Sequence, residues 1–259
     1  MEQEKRLNYL LDYLKRDYAG KSDIEIPAGY TEKRALLRAL VNVRSPRPVS
    51  ADFLKIQDAF LQEEASQKGI ITLEDIPPCF SKNRISLWQG DITRLAVDAI
   101  VNAANSEMLG CFVPGHSCID NAIHTAAGVQ LRERCHEIMQ EQGHLEKTSD
   151  AKITEGFNLP AKYVIHTVGP IAKGSPTKAQ EKELGRCYIS CLELAASHDI
   201  QSIAFCCIST GVFAFPKALA AEIAVNTVID YLREYATFDR VVFNVFTDED
   251  YLIYKRILK

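Results

Sequence analysis

The chain has no apolar run approaching the roughly 20 residues of a membrane-spanning helix. Its opening Met1-Glu2-Gln3-Glu4-Lys5-Arg6 lacks the apolar core of a signal peptide. A dominant charge of one sign is also missing. Thirty Lys and Arg stand against 34 Asp and Glu, for a net charge of −4, and neither half is strongly basic. This balance argues against bulk electrostatic binding to nucleic acid or to acidic membranes. The eight cysteines show no disulfide-framework spacing, and no second Cys/His pair stands at finger-like distance. Thiolate chemistry is better preserved where thiols stay reduced, so the cytoplasm is the expected compartment.

What is present is an ordinary globular composition, 47% apolar and 25% charged over 259 residues, long enough for one large domain or two smaller ones. Two textures divide it. Up to about Asp75 the pattern is helical. Leu7, Leu10, Leu11 and Leu14 recur at three- and four-residue spacing, and Asp17 to Ser22 form a polar break. A second helix is predicted from Thr31 through Leu36, Leu37, Leu40 and Val41, stopped by Ser45-Pro46-Arg47-Pro48. A third starts with Ser50 as N-cap and carries Phe53, Leu54, Ile56, Phe60 and Leu61 up to Gly69.

After Pro77-Pro78, short β-branched runs alternate with helical stretches. Strands are predicted at 85–89, 99–101, 163–168, 202–206 and 241–246, with helices at 120–140, 177–198, 217–235 and 248–258. The alternation predicts a three-layer α/β/α sandwich with a mixed, mostly parallel sheet. The expected division is a helical extension over residues 1–78 and the sandwich over 79–259. Ligands in such folds sit outside the carboxyl ends of the strands, where every unusual segment of this chain falls.

The most unusual segment places Cys111, His116 and Cys118 on one loop between Gly110 and Asp120. Two thiols and an imidazole suit zinc, and three protein ligands leave a fourth position open, as in catalytic sites. Cysteine is also a common small buried apolar residue, the reading given to Cys79, Cys135, Cys187, Cys191, Cys206 and Cys207. Cys111 and Cys118 differ in lying among Gly, Pro and Ser, where no core periodicity accounts for them. His124 reads as helix packing and His166 as part of an apolar strand.

Four segments complete the pattern: Gly90-Asp91-Ile92-Thr93, Asn102-Ala103-Ala104-Asn105, Asp120 to Gly128, and Ile208-Ser209-Thr210-Gly211-Val212-Phe213-Ala214-Phe215-Pro216. In this order, and over roughly residues 84 to 259, they resemble the macrodomain family of ADP-ribose-binding modules. The Cys-x4-His-x-Cys loop further resembles a bacterial zinc-containing subgroup with an N-terminal helical extension. That subgroup contains hydrolases of protein-linked ADP-ribose associated with sirtuin-type ADP-ribosyltransferases.

The resemblance implies that Asp91 accepts from the adenine amino group, with the Ile92 N–H beside the base and Phe246 against the ring. Asn105, Cys118, Ile119 and Asp120 would face the distal ribose. Ser209, Thr210, Gly211, Val212 and Phe213 would cradle the diphosphate with backbone N–H groups ahead of a helix. Phe213 and Phe215 are positioned to close over the distal ribose. Zn²⁺ on Cys111, His116 and Cys118 is the implied cofactor, and Asp120 and Asn105 are the implied catalytic residues.

The sequence also departs from the family. The loop after Asn105 is longer than in ordinary members, and Ala214 and Phe215 stand where Gly and Tyr are common. The implied function is zinc-dependent removal of mono-ADP-ribose from an acceptor protein. The alternatives are a non-catalytic ADP-ribose reader with a structural zinc and an O-acetyl-ADP-ribose deacetylase. Without the resemblance, Asp91 and Asp120 read as helix N-caps and Asn105 as a turn residue.

Overall fold

The computed structural model describes residues 1–18, 24–79 and 82–259; most of the predicted polar break at 17–22 lies outside them. Three helices come first: α1 (Gln3–Asp17), α2 (Tyr30–Val43) and α3 (Ala51–Lys68). The apolar stripe of α1 is fully buried, with Leu7, Leu10, Leu11 and Leu14 meeting Leu37 and Leu40 of α2 and Phe53, Phe60 and Leu61 of α3. Ser50 caps α3 as expected, its Oγ accepting from the Phe53 N–H at 3.2 Å. This core includes one residue from beyond the three helices, Val129.

The rest of the chain alternates. In order it contains β1 (Ile71–Thr72), β2 (Pro78–Cys79), β3 (Lys82–Gln89), β4 (Leu95–Ala96), β5 (Ala99–Ala104), α4 (Ile119–Ala127), α5 (Val129–Gln142), β6 (Ala151–Glu155) and β7 (Tyr163–Val168). There follow α6 (Lys178–Ala196), β8 (Ser202–Phe205), α7 (Lys217–Glu234), β9 (Arg240–Val245) and α8 (Asp248–Ile257). Seven strands form one sheet in the order β2-β3-β9-β8-β5-β7-β6. The inner five run parallel, and β2 and β6 lie antiparallel at the two edges. A parallel β1–β4 pair stands apart from it.

Side chains alternate along β7, so His166 and Thr167 show what covers each face. His166 lies against Cys135 of α5 and beside His124 of α4, whereas Thr167 faces Cys187 of α6. The helices α4 and α5 therefore form one layer; α6 forms the other with α7 and α8, giving the three-layer sandwich.

Three expectations need correction. The helix predicted over 120–140 is two helices, because Gly128 has φ +97° and ends α4. A Cβ at Gly128 would also lie 2.6 Å from Gln57 Nε2 and from Gln130 Oε1. The strand β6 was not expected, since Ala151-Lys152-Ile153-Thr154-Glu155 carries little apolar signal, as suits an edge. The strand β5 runs three residues past its predicted end, which turns Asn102 into a buried strand residue.

Candidate active site

The parallel strands β3, β5, β8 and β9 all end at the same edge of the sheet, and the loops leaving those ends carry the candidate residues. At the end of β3, Asp91 caps a short 3-10 turn at Ile92–Arg94. Its Oδ1 accepts from the Thr93 N–H at 3.0 Å and the Thr93 hydroxyl at 2.7 Å, so both bonds fall on one oxygen. Ile92 is buried beneath it. Phe246 follows the last residue of β9 and is 74% exposed, so it is no strand-core residue and presents an aromatic ring to solvent.

Beyond β8, the segment after Cys207 bends at Ser209 (φ +66°) and Ala214 (φ +53°) instead of at the glycine between them. The bend is pinned by Phe215 N–H to Ser209 O and Ala214 N–H to Gly211 O, both at 3.0 Å. The Thr210 hydroxyl donates to Cys207 O at 3.0 Å. Among the described residues, the N–H groups of Gly211, Val212 and Phe213 meet no protein acceptor, and Ser209 Oγ is buried without a partner. A Cβ on Gly211 would meet nothing within 4 Å, so its bareness leaves open space over the loop. Unsatisfied donors in a bent loop ahead of α7 are suited to an anion. Phe215 is only 2% exposed and packs in the core, so of the two ring candidates only Phe213 borders the surface.

The loop from β5 to α4 begins with Asn105, which organises it. Its Oδ1 accepts from the N–H groups of Glu107 and Met108 at 3.0 and 3.1 Å, and its Nδ2 donates to Gly110 O at 3.1 Å. Gly110 (φ +77°) lies so close to His124 that a Cβ would come within 2.9 Å of the ring. The loop then folds back on itself. Cys111 Sγ lies 3.6 Å from His116 Nδ1, and the ligand atoms of Cys111, His116 and Cys118 are all within 4.8 Å of one another. All three residues are half-buried.

Cys118, not Asp120, caps α4, its Sγ accepting from the Asn121 N–H at 3.4 Å. Burial pushes its thiol up to about 11; the Asn121 N–H opposes this, and Cys111 and Asp120 add to it. Two neighbouring sulfurs and a carboxylate thus form a locus where anionic charge is costly unless a cation shares it. The donor set fits zinc.

Asp120 sits one residue inside α4, only 5% exposed. Burial raises its carboxyl to about 6, against the hydrogen bond from Asn102 and the positive charge of Arg132. The Asn102 Nδ2 donates to Asp120 Oδ1 at 2.8 Å and lies 3.1 Å from His166 Nδ1, which therefore accepts. His166 Nε2 then carries the proton and donates to Thr154 Oγ1 at 3.1 Å. His124 Nε2 is 3.5 Å from Asp120 Oδ1 without hydrogen-bond alignment. Burial holds His124 neutral, so the two form no ion pair. Asn102, Arg132 and this buried polar cluster escaped the sequence reading. Asn102 stood in the Asn102-Ala103-Ala104-Asn105 motif without a role of its own, and its partners Asp120 and His166 are far apart along the chain.

Comparison with known proteins now decides the family. Residues 101–224 match the Macro domain. A Treponema medium protein named protein-ADP-ribose hydrolase is 52% identical over 260 residues, covering all of both chains. The chain belongs to the macrodomain family. A Staphylococcus aureus protein, also named protein-ADP-ribose hydrolase, is 50% identical over 251 residues, covering 96% of this chain and 94% of its own. The Trypanosoma brucei macrodomain in complex with ADP-ribose superposes with a TM-score of 0.68 at 30% identity, over 86% of this chain and 95% of that one. In this macrodomain the anion-suited loop follows β8, and the Cys-His-Cys loop follows its immediate neighbour β5.

Proposed function

We propose that this macrodomain binds ADP-ribose along the strand-end edge and hydrolyses mono-ADP-ribose from a modified acceptor protein, with zinc on Cys111, His116 and Cys118. The carrying observation is the convergence of those three donors on the loop beside the anion-suited Ser209–Phe213 segment. The relatives' names support the hydrolase reading.

In this reading Asp91 offers its unengaged Oδ2 to the adenine amino group, and Phe246 covers the ring. The free N–H groups of Gly211, Val212 and Phe213 hold the diphosphate. The distal ribose, whose C1″ carries the acceptor, then extends toward Cys118, Ile119 and Asp120. Cys111, His116 and Cys118 would hold the zinc, and the chemistry it would supply there is Lewis-acid polarisation. Asp120 keeps negative charge behind the site and holds or moves a proton at its carboxylate, which Asn102 fixes in place. Asn105 contributes by fixing the turn that leads into the metal loop.

A sirtuin-type ADP-ribosyltransferase, the counterpart implied by the loop's resemblance, would supply the modified acceptor. Among the described residues no helix is long and apolar enough to cross a membrane. The reducing cytoplasm remains the proposed compartment because it preserves thiolate ligands such as Cys111 and Cys118.

The test is incubation with a mono-ADP-ribosylated acceptor, with and without a chelator. Release of ADP-ribose that the chelator stops and zinc restores is expected. Tight ADP-ribose binding with no release makes the chain a reader, and full release by zinc-free protein removes the metal from the reaction.

A further inference from the structure

We infer that Arg38 and Asn42 of α2 are positioning residues for the Cys111–Cys118 loop, so that the helical extension is a working part of the metal centre. The inference deepens the zinc reading above and rests on it for one of its two readouts.

The loop has almost no regular structure of its own; its internal backbone bond is His116 N–H to Val113 O at 3.2 Å. Its shape is imposed from outside. Arg38 Nη2 donates to His116 O at 2.9 Å, and its Nε and Nη2 both reach Asn121 Oδ1, at 3.1 and 2.7 Å. Asn121 in turn donates its side-chain amide to Val113 O at 3.1 Å and its backbone N–H to Cys118 Sγ at 3.4 Å. One guanidinium thus holds the carbonyl of one ligand residue directly, and through its bonds to the Asn121 side chain it fixes the residue whose backbone N–H meets the sulfur of another.

Asn42 grips the same loop one residue earlier. Its Oδ1 accepts from the Gly115 N–H at 2.9 Å, and its Nδ2 is anchored on Thr125 Oγ1 at 3.0 Å. Gly115 has φ +64°, a conformation that favours glycine and brings His116 round toward Cys111. From the sandwich side, Arg132 Nε donates to Leu109 O at 2.6 Å. Its Nη1 gathers the carbonyls of Val41, Asn42 and Arg44, at 2.9, 2.8 and 2.7 Å, where α2 ends.

Asn42 and Asn121 are fully buried, so these bonds form in a low-dielectric interior where a missing partner is costly. A metal site whose ligands are fixed in advance avoids ordering the loop on binding, and outer partners of ligands commonly change metal affinity 10–100-fold.

The experiment uses the full chain with Arg38→Gln and Asn42→Ala, and Arg34→Gln as comparison. Arg34 pairs with Glu64 at 2.6 Å inside the extension and does not touch the loop. Zn²⁺ affinity is measured by chelator competition, and hydrogen exchange is read at the Gly115 amide. We expect the zinc dissociation constant to rise about 10–100-fold in both loop variants. The Gly115 amide should exchange faster with or without metal. Arg34→Gln should leave both quantities unchanged at a comparable loss of melting temperature.

Unchanged exchange and affinity in the loop variants would overturn the inference, as would an equal effect from Arg34→Gln. If the wild-type chain takes up no zinc, the zinc reading fails by itself, and Gly115 exchange still decides the positioning claim. Should Arg38→Gln fail to fold, Arg38→Lys keeps the charge while losing the fork of donors, and a smaller rise in both readouts is expected.

Discussion

Asp91 spends one carboxylate oxygen on Thr93, and the proposed ADP-ribose contact falls to the other. Replacing it with Ala should weaken ADP-ribose binding by about 1–3 kcal/mol, because the adenine amino group loses its acceptor in a partly buried setting. Zinc content should not change, since Asp91 follows β3 whereas the Cys-His-Cys loop proposed to hold the metal leaves β5. Calorimetry and elemental analysis of one preparation check both statements, and wild-type affinity would reduce Asp91 to a turn cap. His116→Ala probes the other half of the site. Acceptor release should disappear while the melting temperature falls only modestly, because the sandwich core does not draw on this loop. A collapse of melting temperature together with binding would identify the metal as structural, since a structural zinc contributes folding free energy directly.

At the level of elements, Gly128 separates α4 from α5 and its conformation is one that only glycine adopts readily. Gly128→Ala should cost at least about 1–3 kcal/mol from the backbone alone. Contact with Gln57 and Gln130 adds to this. Urea denaturation measures the loss, and an unaffected midpoint would mean that the two helices can merge.

This junction also shows what the sequence discloses and what it hides. The Leu7-Leu10-Leu11-Leu14 stripe and the Ser50 cap are local signals, and both elements formed where they were read. The apolar parallel strands were legible because burial on both faces leaves continuous β-branched runs. Gly128 was passed over because apolar periodicity continues on both sides of it. The Cys-His-Cys triplet was legible because its members are close in sequence. Asn102, Arg132 and Arg38 were not, since each acts on a partner brought near only by the fold, as Arg38 does on Asn121 across 83 positions.

For the molecule as a whole, acid should be a selective denaturant. Burial keeps His124 and His166 neutral in the fold, with His166 pushed down to about 3. In the unfolded chain both protonate near 6.5, so below that pH the unfolded state binds more protons and stability falls as pH falls. Each histidine contributes a slope of about 1.4 kcal/mol per pH unit, which for His166 ends near its folded value. Asp120, raised by burial to about 6 in the fold, opposes one such slope between about 6 and its ordinary value, so the two histidines together still give a net decline. Below the ordinary carboxylate range Asp98 adds to the loss; its hydrogen bonds from Lys162 and Ser202 outweigh burial and hold its carboxyl low. Urea titrations between pH 7 and 4 should show this decline, and a flat profile from pH 7 to 5 would mean the buried imidazoles are charged.

The helical extension has a further consequence, in the order of synthesis. Its leucine core is completed by Val129, and Gln57 of α3 holds the Val129 N–H at 3.1 Å. Roughly sixty residues separate the end of α3 from that contact. At about 5–20 residues per second, the first helices leave the ribosome several seconds before the surface that finishes them. During that interval they present an unfinished apolar face to solvent, the kind of surface that chaperones cover.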